Sequence, residues 1–119
     1  MIAIGTTADF EDGVRRLIEV GDIEIGVIRH EGEFHAFENR CVHQGGPVCE
    51  GRIMGRVEAV LDENRRVLGE RFSTEKQHLI CPWHGYEYDL RTGECAADPR
   101  LKLRRFEVVE EEGTLYVRV

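Results

Sequence analysis

The chain has 119 residues, 41% of them hydrophobic and 33% charged, and a formal net charge of -7. This length suits one domain with a modest core of its own, and the composition is ordinary for a globular protein. No apolar run approaches the roughly 20 residues that span a bilayer, and the acidic charge argues against a nucleic-acid binder, which needs a basic patch.

The first residues, "MIAIGTTADFEDG", contain neither the basic stretch nor the apolar stretch of a signal peptide. We therefore expect a cytoplasmic protein with no membrane segment. Four cysteines in such a chain indicate metal or redox chemistry more than they indicate disulfides.

Short β-strands are predicted before residue 40. The segments are 14–20, 23–30 and 34–37, joined by turns that contain Gly21 and Gly32. In "IEIGVIRH" (23–30) apolar residues alternate with others, which is typical of a strand with one buried face.

The segment 52–77 admits two interpretations. Its apolar residues stand at spacings that a helix could use, but the stretch also reads as two strands around "DEN" (62–64). We favour a hairpin because the rest of the chain predicts β structure.

The C-terminal residues predict a second hairpin, with strands at 101–110 and 114–119 and a turn around Gly113. Short alternating runs separated by glycines predict an all-β sandwich or barrel. We expect a single domain over residues 1–119, with its binding residues on the loops between strands.

Two stretches combine a cysteine with a histidine: "RCVHQGGPVCEG" (40–51) and "LICPWHGYEYDLRTGE" (79–94). Thiolate and imidazole are both good ligands for iron, zinc and copper. A structural zinc site usually takes two cysteines from one knuckle, whereas here each loop offers one Cys and one His. This arrangement suits a two-metal cluster, with Cys41 and Cys81 on one iron and His43 and His84 on the other. A Cys₂His₂ zinc site is the alternative.

The motifs "CVHQGGP" (41–47) and "CPWHGYEYDLRTGE" (81–94) resemble the Rieske iron–sulfur family. The nearest resemblance is to the small Rieske-type ferredoxins of ring-hydroxylating oxygenases. It implies an antiparallel β sandwich with a small cluster-binding subdomain formed by the two loops. It also implies one [2Fe–2S] cluster with four ligands, namely Cys41, His43, Cys81 and His84.

The function implied by the resemblance is that of an electron carrier without catalytic residues of its own. Such a protein passes one electron from a flavin-containing reductase to a terminal oxygenase through transient docking. The acidic surface would favour encounters with basic partners. The alternatives are a Rieske-like small subunit of a nitrite reductase and a zinc-binding interaction module without redox activity.

Two departures from the respiratory Rieske proteins stand in the motifs. Gly46 and Trp83 occupy the positions of the extra cysteines that form a disulfide in that subgroup. Tyr86 occupies the position of a serine that donates a hydrogen bond to the cluster. We therefore expect a potential at the lower end of the Rieske range of about -150 to +300 mV, although Tyr88 could restore one bond to a ligand sulfur.

The remaining features have simpler interpretations. Residues 52–77 make the spacing between the motifs longer than in small Rieske ferredoxins, which indicates an insertion. Cys49 and Cys95 are expected to be unreactive buried residues. The other three histidines, at 30, 35 and 78, are expected to be strand or surface residues and not ligands.

Overall fold

The computed structural model describes residues 1–42, 45–83 and 85–119, with the backbone alone at 56–58 and 71–76. These residues form β-strands and two single-turn 3₁₀-helices, Thr7–Asp9 and Val48–Glu50. The strands are β1 (Ile2–Thr6), β2 (Arg15–Val20), β3 (Ile23–His30), β4 (Glu33–Glu38), β5 (Arg52–Leu61), β6 (Val67–Ile80), β7 (Glu87–Asp89), β8 (Arg105–Glu111) and β9 (Thr114–Arg118). In the described ranges, no helix has the length and apolar character needed to cross a membrane.

The strands form two sheets in which every pairing is antiparallel. The larger sheet has the order β1-β9-β8-β4-β3-β2, and the smaller has the order β5-β6-β7. The predicted all-β antiparallel class is therefore confirmed.

The hairpin of β3 and β4 is buried on both faces. On one face Ile25 and Val27 lie in a core with side chains from β1, β8 and β9. On the other face Ile28 and Phe37 lie in a second core, with side chains from β6, β7 and the two Cys-containing loops. The sequence pattern predicted only the first face, because Gly26 interrupts the apolar residues of the second.

Gly26 is required where it stands because Cys49 lies directly above it. A Cβ at position 26 would collide with the Cβ and Sγ atoms of Cys49. The missing side chain thus lets the 3₁₀-helix Val48–Glu50 pack closely on β3, where Val48 and Cys49 are fully buried. This contact seats the first Cys-containing loop on the larger sheet.

The predicted hairpin turns are present and have a common backbone form. Glu31 and Gly32 connect β3 to β4 with φ values of 51° and 81°, and Glu112 and Gly113 connect β8 to β9 with 51° and 79°. Two successive positive φ values match the right-handed twist of the strands they join.

The segment 52–77 is a hairpin, so the helical interpretation is wrong. β5 and β6 pair from Arg52↔Ile80 to Leu61↔Val67. Of the five apolar residues whose spacing suggested a helix, three lie at the far end of the hairpin and are exposed, namely Leu61, Val67 and Leu68.

The C-terminal prediction needs a correction, since β8 begins at Arg105 and not at residue 101. Residues 101–103 lie beside 93–95 instead, with hydrogen bonds from Cys95 to Leu101 and from Leu103 to Gly93. Strands β1 and β7 were not predicted, because each is short and gains its order from pairing with β9 and β6.

We expect the substitution Gly26→Ala to destabilise the protein by about 1–3 kcal/mol, because the new methyl group overpacks the contact with Cys49. Gly69→Ala is the matched control, since a Cβ there meets no atom within 4 Å. Urea unfolding followed by circular dichroism measures both variants. Equal losses in the two would show that Gly26 is not a packing constraint.

A second prediction concerns pH. Burial lowers the pKa of His35 from its ordinary value of 6.5, against the opposing effect of Glu33. The unfolded chain therefore binds this proton at a higher pH than the folded chain does. Stability should fall as the pH drops below about 6.5, by up to about 1.4 kcal/mol per pH unit until the folded pKa is reached. The free energy of unfolding at pH 7.5 and 5.5 should show this slope in the parent and a weaker slope in His35→Gln. Identical slopes in the two proteins would contradict the assignment.

Candidate metal centre

Two loops follow strands β4 and β6 and meet at one end of the smaller sheet. The first loop is residues 40–51, and the second, residues 79–94, begins with the last two residues of β6 and includes β7. They meet because Arg52, which follows the first loop, pairs with Ile80 of the second at the open end of the β5–β6 hairpin. Gly51 packs so tightly on the carbonyl oxygen of Ile80 that a side chain could not fit there.

The two loops close with the same backbone hydrogen bonds. The N–H of Cys41 donates to the carbonyl of Gly46 (2.8 Å), and the N–H of Gly45 donates to the carbonyl of Cys41 (2.8 Å). In the second loop Cys81 donates to Tyr86 (2.8 Å), and Gly85 donates to Cys81 (3.2 Å). Gly45 and Gly85 have φ values of 75° and 71°, a conformation that disfavours other residues. Each cysteine thus lies at the start of an equivalent tight turn.

The thiols of Cys41 and Cys81 are buried and adjacent. Their residues are 2% and 1% exposed. Burial raises the pKa of the Cys81 thiol and the neighbouring Cys41 raises it further, whereas the backbone N–H of Trp83 lowers it. The Cys81 thiol therefore favours its protonated form, and a metal cation bound beside it would reverse this by stabilising the thiolate. The pair fits the sulfur half of the predicted ligand set.

Tyr88 makes the contact that the sequence suggested. Its hydroxyl oxygen lies 2.9 Å from the Sγ atom of Cys41, and the residue is fully buried. Burial raises the pKa of the Tyr88 hydroxyl, and Cys41 raises it further. The hydroxyl therefore keeps its proton and can donate it in a hydrogen bond to a thiolate at position 41.

Trp83 and Gly46 touch across the two loops. A Cβ at Gly46 would lie 2.8 Å from Cγ of the Trp83 indole, so the ring needs the space that glycine leaves. These are the two positions that a disulfide would join in the respiratory subgroup, and here an aromatic contact joins them. Trp83 is nevertheless 50% exposed, and Val42 in the first loop is 42% exposed. The loops that carry the buried thiols therefore also expose apolar side chains, at Val42 next to Cys41 and at Trp83 two residues after Cys81.

Polar side chains hold the first loop on the larger sheet. The Asn39 carbonyl oxygen accepts from the N–H of Cys49 (2.8 Å), and its amide donates to Glu24 (2.7 Å). Arg15 donates to the carbonyl oxygens of Cys49 and Gly51. Such bonds fix the backbone that follows Cys41 without using any atom of the thiol.

The carboxylate of Asp89 organises the second loop. It accepts from the N–H groups of Arg91 (2.7 Å) and Thr92 (3.2 Å), as expected of an Asx turn. The turn reverses the chain, so that Cys95 forms an isolated antiparallel β-bridge with Tyr88. It thereby supports the strand that carries the Tyr88 hydroxyl.

His43 and His84, the other two predicted ligands, lie outside the described residues. Their role stays a prediction, as does the role of the complete ligand set. Among the described residues, which include Cys41 and Cys81 but neither of these histidines, no three His, Cys, Asp or Glu are grouped so that they could hold a metal ion.

The remaining cysteines and histidines agree with the simpler interpretation. Cys49 and Cys95 are free and buried, and burial raises the pKa of the Cys49 thiol to about 12. The histidines on strands lie nearest to carboxylates: His30 to Glu31 (3.7 Å), His35 to Glu33 (3.8 Å) and His78 to Glu87 (3.2 Å).

Sequence reasoning missed the equivalence of the two loops and the packing role of Gly51. A signal for the first was present, since a glycine follows each ligand-candidate cysteine at the fourth position, as Gly45 and Gly85. No signal in the sequence indicates that Ile80 covers Gly51, because the contact depends on the register of the hairpin.

Comparison with known proteins agrees with this geometry. The chain is 31% identical over 117 residues to human apoptosis-inducing factor 3, and the aligned region covers 98% of this chain and 16% of that protein. It is 28% identical over 118 residues to Ferredoxin CarAc of Metapseudomonas resinovorans, covering 98% of this chain and 91% of that one. The chain spans 16% to 48% of the length of the human relatives it matches.

Among solved structures, this protein matches one chain of the complex of reduced oxygenase and oxidized ferredoxin in carbazole 1,9a-dioxygenase. The TM-score is 0.68 with 27% identity, over 98% of this chain and 100% of that chain. The model of the Rieske [2Fe-2S] domain matches residues 1–107. With two buried thiols at equivalent turns and a match over nearly its whole length, the chain belongs to the Rieske [2Fe-2S] domain family.

Proposed function

We propose that this protein is a one-electron carrier that delivers electrons to a terminal oxygenase. The observation that carries the proposal is the buried pair Cys41 and Cys81, held on two equivalent loops whose neighbouring residues Val42 and Trp83 are exposed. A [2Fe–2S] cluster bound there supplies one-electron redox chemistry. The family match and the likeness to ferredoxins of dioxygenase systems support this function.

The residues of the chain have distinct tasks in this proposal. Cys41 and Cys81 hold one iron, and His43 and His84 hold the other. Gly45 and Gly85 close the turns that bring the ligands together. The protein binds no substrate and forms no covalent intermediate, so it is not an enzyme on its own.

The proposed partners are a flavin-containing reductase, which supplies the electron, and the oxygenase, which accepts it. Docking is transient, as suits a carrier that meets two partners in turn. We further propose that residues 1–119 act as a single domain, that 52–77 is an insertion, and that the protein works in the cytoplasm.

The first experiment tests the ligand set and the cofactor together. The holoprotein should contain two irons per chain and, after reduction with dithionite, give a rhombic electron paramagnetic resonance signal. Its average g should lie below that of an all-cysteine cluster. Cys41→Ala, His43→Ala, Cys81→Ala and His84→Ala should each lose the iron and the red-brown colour. Cys49→Ala and His30→Ala are the controls and should retain both, whereas a colourless protein with one zinc per chain would overturn the assignment.

The second experiment tests which protein accepts the electron from this carrier. Reduced holoprotein is mixed in a stopped-flow instrument with the oxidised terminal oxygenase, or with the nitrite reductase large subunit, encoded nearest to its gene. We expect reoxidation of the carrier on the timescale of oxygenase turnover. Reoxidation by the nitrite reductase alone would replace the proposed acceptor with that of the alternative function.

The Tyr88 hydroxyl should raise the reduction potential, because a hydrogen bond to a ligand sulfur stabilises the more negative, reduced state. We expect Tyr88→Phe to lower the midpoint by roughly 40 mV, which corresponds to about 1 kcal/mol of differential stabilisation. Tyr116→Phe on β9 is the matched control and should leave the midpoint unchanged. Potentiometric titration of the three proteins measures the effect, and equal midpoints for Tyr88→Phe and the parent would refute the tuning role.

A further inference from the structure

A basic hollow lies beside the first Cys-containing loop, although the chain as a whole is acidic. The hollow is open, has a volume of about 540 Å³, and is bordered by the loop residues Cys41, Val42 and Gly45. Its charged lining consists of three cations, Arg40, Lys102 and Arg104, and one carboxylate, Glu38. The local charge of +2 contrasts with the net charge of -7 for the chain.

The fold brings these cations together from segments far apart in sequence. The N–H of Glu38 donates to the carbonyl of Arg104 (2.9 Å), which places the residues before the loop next to those before β8. The guanidinium of Arg104 lies 4.9 Å above the centre of the Phe106 ring, and this contact restrains it. Arg40 lies over Gly45, since a Cβ there would be 3.5 Å from its Nε atom.

The cations are available to a partner. Arg40, Lys102 and Arg104 are exposed, and Arg40 forms no ion pair with any residue in the described part of the chain. Lys102 pairs with Glu94 at 3.6 Å, but the two side chains are 58% and 41% exposed, so water screens the pair and makes it weak.

Exposed apolar side chains adjoin the hollow. Val42 lines it, and Trp83 packs on Gly46 in the same loop. An apolar centre with a charged rim is the usual composition of a protein–protein interface, and Trp and Arg are its most frequent energetic anchors. The three cations line an open hollow and not an enclosed pocket, so they suit several carboxylates of a protein more than a single small anion.

We propose that this hollow is the docking surface for an acidic patch on the redox partner protein, with Arg40, Lys102 and Arg104 pairing with its carboxylates. The inference rests on the proposed carrier function and specifies the partner's chemistry. It reverses the expectation from net charge, under which the partner surface would be basic. Pairing beside the loop of Cys41 would orient the partner over the buried thiols before the electron moves.

The test uses a charged oxidant as the probe. One electron passes from dithionite-reduced holoprotein to ferricyanide, giving ferrocyanide, and no bond forms or breaks. If net charge governed the encounter, added salt would speed this reaction, since like charges would be screened. We expect the opposite sign, a second-order rate constant that falls with ionic strength, because the hollow attracts the anion.

A matched pair of double variants isolates the hollow. Arg40→Gln with Lys102→Gln removes two positive charges from it, while Arg65→Gln with Arg66→Gln removes two from the turn at the far end of the β5–β6 hairpin. At low ionic strength the first pair should slow ferricyanide reduction about threefold or more relative to the second. The cationic oxidant tris(phenanthroline)cobalt(III) should respond in the opposite direction. Midpoint potentials are measured for each protein so that rates are compared at equal driving force.

Equal slowing in the two double variants would overturn the proposal, because net charge alone would then explain the effect. A second readout does not use electron transfer. The paramagnetic anion hexacyanochromate(III) should broaden the NMR signals of residues 102–106 in the oxidised holoprotein more than those of residues 62–66, and uniform broadening would also overturn the proposal. If both results are as expected but the oxygenase accepts no electrons, the carrier function fails while the anion-binding surface stands.

Discussion

The burial of both faces of the β3–β4 hairpin is the constraint on which the rest of the structure depends. One face completes a core with the terminal strands, and the other carries the two loops and the smaller sheet. A strand between two cores is apolar on both faces, as Val27 and Ile28 show, and Gly26 leaves the space that Cys49 occupies on the second face. The close packing of the first loop on the larger sheet depends on this missing side chain, together with the hydrogen bonds of Asn39 and Arg15.

The two loops achieve the same backbone geometry from different sequences. Both use a cysteine, a glycine four residues later and a carbonyl one residue beyond that glycine. The histidine candidates do not follow the same rule, since His43 stands two residues after its cysteine and His84 three after its own. The equivalent turns therefore place Cys41 and Cys81 alike, whereas the two histidines stand at different distances from their cysteines in sequence. In the proposed ligand set, the sulfur half and the imidazole half thus follow different spacings.

Much of this structure could be predicted from local pattern. The strand at 23–30, the turns at Gly32 and Gly113 and the Cys/His motifs each follow from residue types a few positions apart. A bond from Tyr88 to a ligand sulfur was expected only from the family resemblance, since Tyr88 and Cys41 lie 47 residues apart in sequence. The strand and turn predictions succeeded because their physical causes are local in the chain.

The remainder depends on distant contacts that no local pattern encodes. Strand β1 exists because β9 pairs with it, and residues 101–103 leave the predicted strand because 93–95 compete for their hydrogen bonds. The charge of the surface is equally non-local. A net charge of -7 predicts a surface that is acidic throughout, whereas the fold brings Arg40, Lys102 and Arg104 together around one hollow.

The pairing of Arg52 with Ile80 at the open end of the β5–β6 hairpin lets the number of residues between the two motifs vary. In an antiparallel pair, residues added in equal number to both strands lengthen the far end and leave the first pair of residues unmoved. The number of residues between the motifs therefore carries no geometric information about the metal centre. Evolution, or an engineer, can extend, shorten or replace this arm as an independent module, provided that the residues at its base are kept.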